Sequence, residues 1–441
     1  MLESKSRHTI TAHDLIAALP VHQHTPDDYL VFYVEPNPAA KESGKESPVI
    51  FKSLVATKLP SSAVHSLQPP GNACWQLRQD DGSMPNLHII ISTGSGTGKA
   101  ESVYKSLLRP MLKQICPGND KYSLHYTTSE QTVTDLAREV FLPQANNGVS
   151  QAIILLSGDG GLVDIVNGLL SGKHLRQYRK PNITLLPVGT GNAMAHSADI
   201  TADNTLGLKT LLHGVQKDLP IFQARFSSDA RYLVNEAREE LDLQLVDGVP
   251  TVYGAVVGSW GFHATLVADS DTAEYRKFGA ERFKMAAKEA LYPADGSAPH
   301  AYRGKVSILQ RSASGKCEWR LIERETHAYI LATPVRQLEK GFTISPASRP
   351  LDGKLRLVHF GDVGAQGTMD LMTKAYGGGT HVEDERVGYE EIEGLLIEFG
   401  EEDARWRRVC IDGKIIRVEK GGRLELRKSA SDVADLIVME R

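Results

Sequence analysis

The sequence predicts a parallel α/β domain followed by an antiparallel β-sandwich domain, with a small β-rich extension ahead of both. Between about residues 87 and 226, apolar strand-like runs alternate with helix-patterned segments across short loops. That rhythm belongs to a parallel sheet covered by helices on both faces. Beyond residue 232, short alternating segments are separated by Gly, Pro, Asp and Ser clusters, as in a sandwich or barrel. Before residue 83, isolated apolar runs sit among linkers rich in Pro, Ser, Lys and Glu. These shifts place the boundaries at 1–82, 83–231 and 232–441.

In the extension, 29–34 and 49–55 read as strands and 74–77 as a weaker one; no motif there carries chemistry. The α/β segment opens with a strand at 87–91, a glycine-rich loop at 92–99 and a helix at 100–114. Val103, Leu107, Leu108 and Met111 share one face of that helix, and Pro110 is expected to kink or interrupt it. A strand at 122–127 and a helix at 132–141 follow. Residues 152–156 form an unbroken apolar run, the pattern of a strand buried on both faces. Leu162, Ile165, Val166 and Leu169 then recur at helical spacing. A strand at 183–186, a loop at 187–192, a helix at 206–215 and a strand at 220–226 complete the repeat. The last segment is expected to hold strands at 253–257, 305–309, 319–323, 328–332, 354–359, 394–399, 408–411 and 423–426. One helix at 271–291 interrupts them, with Asp271 offered as its cap and Glu274 three residues on.

The chain has 441 residues and a net charge of −4, which argues against general nucleic-acid binding. Cys74, Cys116, Cys317 and Cys410 are widely separated, with no spacing for zinc or a redox pair. They are expected to be reduced thiols of a cytoplasmic protein. Residues 1–20 lack the apolar core of a signal peptide, and no run reaches membrane-spanning length. Any membrane contact is therefore expected to be peripheral. The oligomeric state is left open, a homodimer included.

Three loops carry chemistry. In Ser157-Gly-Asp-Gly-Gly161, between a buried strand and a helix, glycines let backbone N–H groups approach an anion at a helix N-terminus. Asp159 is the odd residue there. A carboxylate aimed at phosphates repels them unless it binds a metal or accepts a proton from an attacking hydroxyl. A lone Gly-Asp-Gly is more often a plain turn, so the company it keeps decides. Ser92-Thr-Gly-Ser-Gly-Thr-Gly-Lys99 is neither a Walker A motif nor a dinucleotide fingerprint, yet it is a second plausible phosphate cradle. Gly189-Thr-Gly-Asn192 is a third. In an open α/β sheet the three strand ends lie along one edge, where such loops converge on a single triphosphate.

The ordered motifs resemble the diacylglycerol kinase-like lipid kinases, which include sphingosine (long-chain base) and ceramide kinases. The resemblance spans about residues 87–426. It rests on Ser157-Gly-Asp-Gly160 with Asn167-Gly-Leu169, on Leu186-Pro-Val-Gly-Thr-Gly-Asn-Ala193, and on Trp260-Gly-Phe262. Tyr275-Arg-Lys-Phe-Gly279 with Arg282-Phe283, Leu351-Asp-Gly-Lys-Leu-Arg-Leu-Val358 and Ile411-Asp-Gly413 continue it. Ala193 and the Tyr-Arg-Lys-Phe-Gly segment lean towards the sphingoid-base branch.

The resemblance implies an ATP- and Mg²⁺-dependent kinase with Asp159 as general base. Ser92, Gly96, Gly98, Lys99, Gly158, Gly160, Gly189, Thr190, Gly191 and Asn192 would line the nucleotide, joined by Gly413. Arg276 and Arg282 would contact phosphate, and Asp412 would help hold Mg²⁺. On residue type alone, two arginines six apart are more often a solvated helix face, although a break at Gly279 would realign them. Trp260 and Phe262, with Leu266 and Val267, would line the lipid, though an apolar cluster is more often plain core. Counting back from Tyr275 puts Asp269 at the head-group acid, which would favour a cationic amine, while Asp271 caps a helix. Three departures stand out: Ser92-Thr93 replaces Asn-Pro, two residues are added between Phe262 and Tyr275, and Lys414 follows Asp412-Gly413 where the family has Glu. The reading is a lipid kinase acting on a sphingoid base at a peripheral membrane surface. The alternatives are a diacylglycerol or ceramide kinase, an NAD kinase-like enzyme, and a catalytically weak lipid-binding protein.

Overall fold

The computed structural model describes residues 10–20, 28–42, 44–57, 59, 67, 85–116, 122–279, 281–312, 314–429 and 432–440. A six-stranded sheet forms its first body, in the order Tyr122–Tyr126, Asn86–Ile91, Gln151–Ser157, Asn182–Pro187, Asp435–Val438, Val215–Asp218. The first five are parallel, and only Val215–Asp218 runs against its neighbour. Every residue of Gln151–Ser157 is buried, as its apolar run predicts for a central strand covered on both faces.

Two antiparallel sheets make the second body. One runs in the order Glu239–Asp242, Arg231–Val234, Lys414–Arg417, Arg408–Ile411, Gly258–Gly261, Tyr329–Thr333, Leu355–Phe360, Gly388–Ile392. The facing sheet is built around Val249–Gly254, Ile221–Phe226, Arg423–Ser429, Gly394–Phe399 and Tyr302–Arg311. Phe222, Trp260, Val306, Leu357, Ile397 and Leu426 fill the space between them.

The chain divides differently from the 231/232 cut that the sequence suggests. Ile221–Phe226 pairs with Val249–Gly254 and Arg423–Ser429 inside the sandwich, not with the α/β sheet. Asp435–Val438 returns from the sandwich to lie parallel to Asn182–Pro187. A four-residue strand at the far end of the chain gives no local sign of that partnership. The helix expected at 206–215 covers only Leu208–His213, and Val215–Asp218 is already strand.

In the extension, Leu15–Pro20, Asp28–Pro36 and Val49–Thr57 form an antiparallel sheet. Ile16, Phe32, Val34 and Phe51 bury against Leu107 and Met111 of the first helix. The strands at 29–34 and 49–55 are thus present, Leu15–Pro20 is additional, and 74–77 lies outside the described residues. The α-helix is interrupted just ahead of Pro110. Helix Ala100–Val103 continues through a π-helical turn, Tyr104–Leu108, into Arg109–Ile115, and Arg109 N–H bonds the Tyr104 carbonyl five residues back. The wider turn just ahead of Pro110 accommodates its missing donor and ring. The same device, Ala137–Phe141, precedes Pro143.

Trp260 is fully buried in the sandwich, and its Nε1–H donates to the Trp406 carbonyl at 2.8 Å. It is a core residue, so Trp260→Ala should lower the unfolding free energy by about 3–5 kcal/mol. Denaturant titration with circular dichroism checks this. A loss below about 1 kcal/mol would show that the indole is not packed as described.

Candidate active site

The loops after Asn86–Ile91, Gln151–Ser157 and Asn182–Pro187 meet because those strands are neighbours in the parallel sheet. Their meeting point has no room for side chains. A Cβ on Gly189 would lie 2.4 Å from the Gly158 Cα, and one on Gly96 would lie 2.5 Å from the Val188 carbonyl oxygen. Ser95, which sequence reasoning passed over, ties the first loop to the second: its Oγ accepts the Gly158 N–H at 2.9 Å. Asn192 sits at a left-handed φ of 53° and braces the third loop, accepting from Gly189 N–H at 2.9 Å and donating to the Gly189 carbonyl at 2.8 Å.

Asp159 opens helix Asp159–Leu169, and its carboxylate reaches the start of helix Ala193–Ser197. Oδ2 accepts the Ala193 N–H at 2.7 Å and Oδ1 the Met194 N–H at 2.9 Å. Burial raises its proton affinity above the usual carboxylate range, against the pull of those amides. Asp412 lies opposite, at the first position of a two-residue Asp-Gly turn between Arg408–Ile411 and Lys414–Arg417. Its φ is 49° and that of Gly413 is 87°, as such a hairpin requires. The Asp412 carboxylate accepts from Ala255 N–H at 2.5 Å, from Val256 N–H at 3.0 and 3.1 Å, and from Val257 N–H. Burial pushes its pKa up to about 7 despite those amides, and the nearby Asp159 charge adds to the rise.

These groups surround a cavity of about 1050 Å³. Ser92 and Gly96 face it from the first loop, Gly158, Asp159 and Gly160 from the second, and Gly189, Thr190 and Gly191 from the third. Arg276, Arg282, Asp412 and Gly413 line another side. A further part of the wall is apolar: Phe262, Leu266, Val267, Tyr329, Phe342 and Met372. Gly98, Lys99 and Asn192 belong to the loops but not to the cavity lining, and Trp260 lies in the sandwich core.

The break at Gly279 realigns the two arginines. Helix Ala273–Arg276 ends there, Gly279 takes a φ of 56°, and helix Glu281–Leu291 begins. Asp271 then holds Arg276 through two contacts of 2.9 Å and Arg282 through one of 3.3 Å. The helix cap is Thr272, whose Oγ1 accepts the Tyr275 N–H, so Asp271 is a cavity carboxylate and not the cap. Asp269 is not the cavity acid that counting suggests. It is ion-paired to Arg405 at 2.9 Å and Arg408 at 2.7 Å and lies outside the lining. The reason is a helix at Phe262–Ser270, absent from the strand-rich reading, which turns positions 269 and 271 to different sides.

Three of the cavity carboxylates are already engaged by other groups, which leaves Asp159 as the open one. Each Asp412 oxygen already takes two amide contacts, Asp164 is paired to Lys414, and Asp271 is paired to two arginines. Among the described residues, no group of three or more His, Cys, Asp or Glu is arranged to hold a metal ion. The expectation that Asp412 ligates magnesium is therefore not met by this geometry. No helix of the described residues is long and apolar enough to cross a membrane.

Three bare glycine loops, an amide-held carboxylate and an adjoining apolar wall thus share one cavity. The family model for the diacylglycerol kinase catalytic domain matches residues 86–224. The chain is 22% identical to Sphingosine kinase 1 of Arabidopsis thaliana over 350 residues, covering 72% of this chain and 65% of that protein. It is 25% identical to human Sphingosine kinase 1 over 228 residues, covering 50% and 51%. The chain thus spans less than two thirds of either relative. A Bacillus anthracis crystal structure, proposed to be a diacylglycerol kinase, shares the fold with a TM-score of 0.51 at 15% identity, covering 80% of this chain and 97% of that one. Residues 86–224 thus match a diacylglycerol kinase catalytic domain, and the chain as a whole is similar to sphingosine kinases at low identity.

The Asp412 cage has a measurable consequence. A carboxyl whose folded pKa is about 7, above the ordinary 3.8, favours folding most below pH 3.8. That contribution is lost as pH rises towards 7. Asp412→Asn should flatten the part of the stability profile between about pH 4 and pH 7. Urea unfolding across that range checks it, and a profile with unchanged slope would mean that the carboxyl is not caged as described.

Proposed function

We propose that the chain is an ATP-dependent kinase that phosphorylates a hydroxyl of a sphingoid base or a related lipid. The observation that carries this is the single cavity in which Asp159 lies between the glycine loops and the apolar wall. Each Asp159 oxygen accepts one amide and keeps a lone pair, and burial makes it a stronger base than a surface aspartate. Asp159 takes the hydroxyl proton, the lipid oxygen attacks the γ-phosphorus, and the bond from that phosphorus to the ADP oxygen breaks. Loop amides with Arg276 and Arg282 offset the charge of the transferring group.

The sphingoid preference is supported by what the relatives are named, and the withdrawal of Asp269 from the cavity removes the carboxylate argument for it. We further propose a cytoplasmic protein that meets its lipid at a membrane surface. Phe278, Met285 and Tyr292 are 49%, 37% and 49% exposed, and Tyr292 lines the cavity with Lys284 and Lys288. Exposed apolar side chains beside lysines suit an anionic interface.

Phosphorylation of sphingosine, diacylglycerol and ceramide in mixed micelles with radiolabelled ATP, and of NAD in parallel, tests the reading. Asp159→Asn should leave the fold intact and reduce turnover on the order of a hundredfold to ten-thousandfold. Activity near wild type would exclude Asp159 as the base. Efficient transfer to diacylglycerol or ceramide with sphingosine poor would change the substrate and keep the lipid kinase, and transfer to NAD alone would overturn both.

A further inference from the structure

Lys414 and Asp164 are both lining residues of the cavity, and neither is used by the chemistry above. Lys414 follows the Asp412–Gly413 turn, and Asp164 projects from helix Asp159–Leu169. Lys414 Nζ lies 2.6 Å from Asp164 Oδ1 and 5.2 Å from the Tyr232 ring centroid, and its side chain is 18% exposed. We propose that Lys414 is a phosphate-binding cation of this cavity, aimed by Asp164 and the face of Tyr232; this rests on the nucleotide reading above.

The charge of the cavity motivates it. Six carboxylates (Glu130, Asp159, Asp164, Asp271, Glu339 and Asp412) face five basic side chains (Arg276, Arg282, Lys284, Lys288 and Lys414). A triphosphate adds several negative charges to a site already short of positive ones. The usual remedy, a divalent ion gathered by protein carboxylates, is restricted here, because amides, arginines and Lys414 already engage Asp412, Asp271 and Asp164. Arg276 and Arg282 share one acid between them. An ammonium has three donors; Asp164 Oδ1 holds it at ion-pair distance and the tyrosine face from another side, so donor capacity remains for a ligand in the cavity. A buried ion pair is in itself weak evidence of stabilisation, since an apolar pair of similar volume often does as well. One that lines a phosphate cradle has a ligand to serve.

The bland alternative is a tie between the helix and the hairpin, and it predicts a different result. Calorimetric titration with ATP in EDTA, with ATP and Mg²⁺, and with adenosine separates the two. The wild-type chain should bind ATP without magnesium. Lys414→Met alone leaves Asp164 buried and unpaired, so Lys414→Met combined with Asp164→Asn is the informative variant: it removes the ammonium, keeps the net charge and leaves no unpaired buried charge. It should weaken ATP binding in EDTA roughly 10- to 100-fold, the scale of a charge-assisted hydrogen bond. The loss should be smaller in Mg²⁺ and absent for adenosine, and Lys414→Arg should retain most of the metal-free affinity. Unchanged ATP affinity in EDTA, or equal losses for ATP and adenosine, overturns the proposal. A wild-type chain that binds ATP only with magnesium overturns it too and leaves the kinase reading standing. No ATP binding in either buffer removes the nucleotide reading and this proposal together.

Discussion

Everything in the site depends on one close approach of backbone to backbone, that of Gly158 to Gly189. A single added Cβ at Gly189 would overlap the Gly158 Cα, so two adjacent parallel strands can deliver their loops to one point only if both tips are bare. That constraint sets where the helices begin. With the tips in contact, the start of helix Ala193–Ser197 lies where its first amides meet the Asp159 carboxylate, and Asp159 is fixed without help from any other side chain. The first loop joins through Ser95, whose hydroxyl satisfies the Gly158 N–H that the turn would otherwise leave without a partner.

The two buried carboxylates of the cavity are held by the same kind of donor and yet are chemically unlike. Asp159 receives one amide per oxygen and faces the open cradle. Asp412 receives amides on both sides of both oxygens, from the three residues that carry the chain from one sandwich sheet to the other. A saturated carboxylate in that position organises backbone; an unsaturated one can exchange a proton. Both are pushed upward in pKa by burial, so the number of directed amides, and not the shift itself, distinguishes the two carboxylates.

The parts legible in the sequence were those with local causes. Strand, glycine tip and helix are written within twenty residues, so the three loops, Asp159 and the Gly279 break that aligns Arg276 with Arg282 could be found in order. What escaped was decided by distant partners. Ile221–Phe226 and Asp435–Val438 change sheets for reasons that lie two hundred residues away. Helix Gly364–Tyr376, which brings Met369, Met372 and Tyr376 to the cavity, carries two glycines that weaken its helical signal among strands. Asp269 and Asp271 show the limit of counting. Spacing along the chain ranks both as near the cavity, but only the helix at Phe262–Ser270 decides which carboxylate turns inward. Trp260 shows the same limit for aromatics, because a core indole and a lipid-facing one have the same letter.

The two bodies are joined more firmly than a cleft between loosely tethered domains would be. The chain crosses between their sheets near Leu219 and again near Ala434, and one apolar cluster runs from Leu162 and Ile165 of the helix through Tyr253 and Val256 to Tyr329. Asn167 closes the seam: its side chain accepts the Tyr253 N–H at 3.0 Å and donates to the Tyr253 carbonyl at 2.9 Å, capping a sandwich strand from within the α/β body. Side chains of the cavity that can adjust to a ligand already have a partner to exchange, namely Arg276 and Arg282 on Asp271 and Lys414 on Asp164. Each of these cations is held ready by a carboxylate, so an incoming phosphate replaces one anion with another and the guanidinium or ammonium need not be taken out of water at the moment of binding.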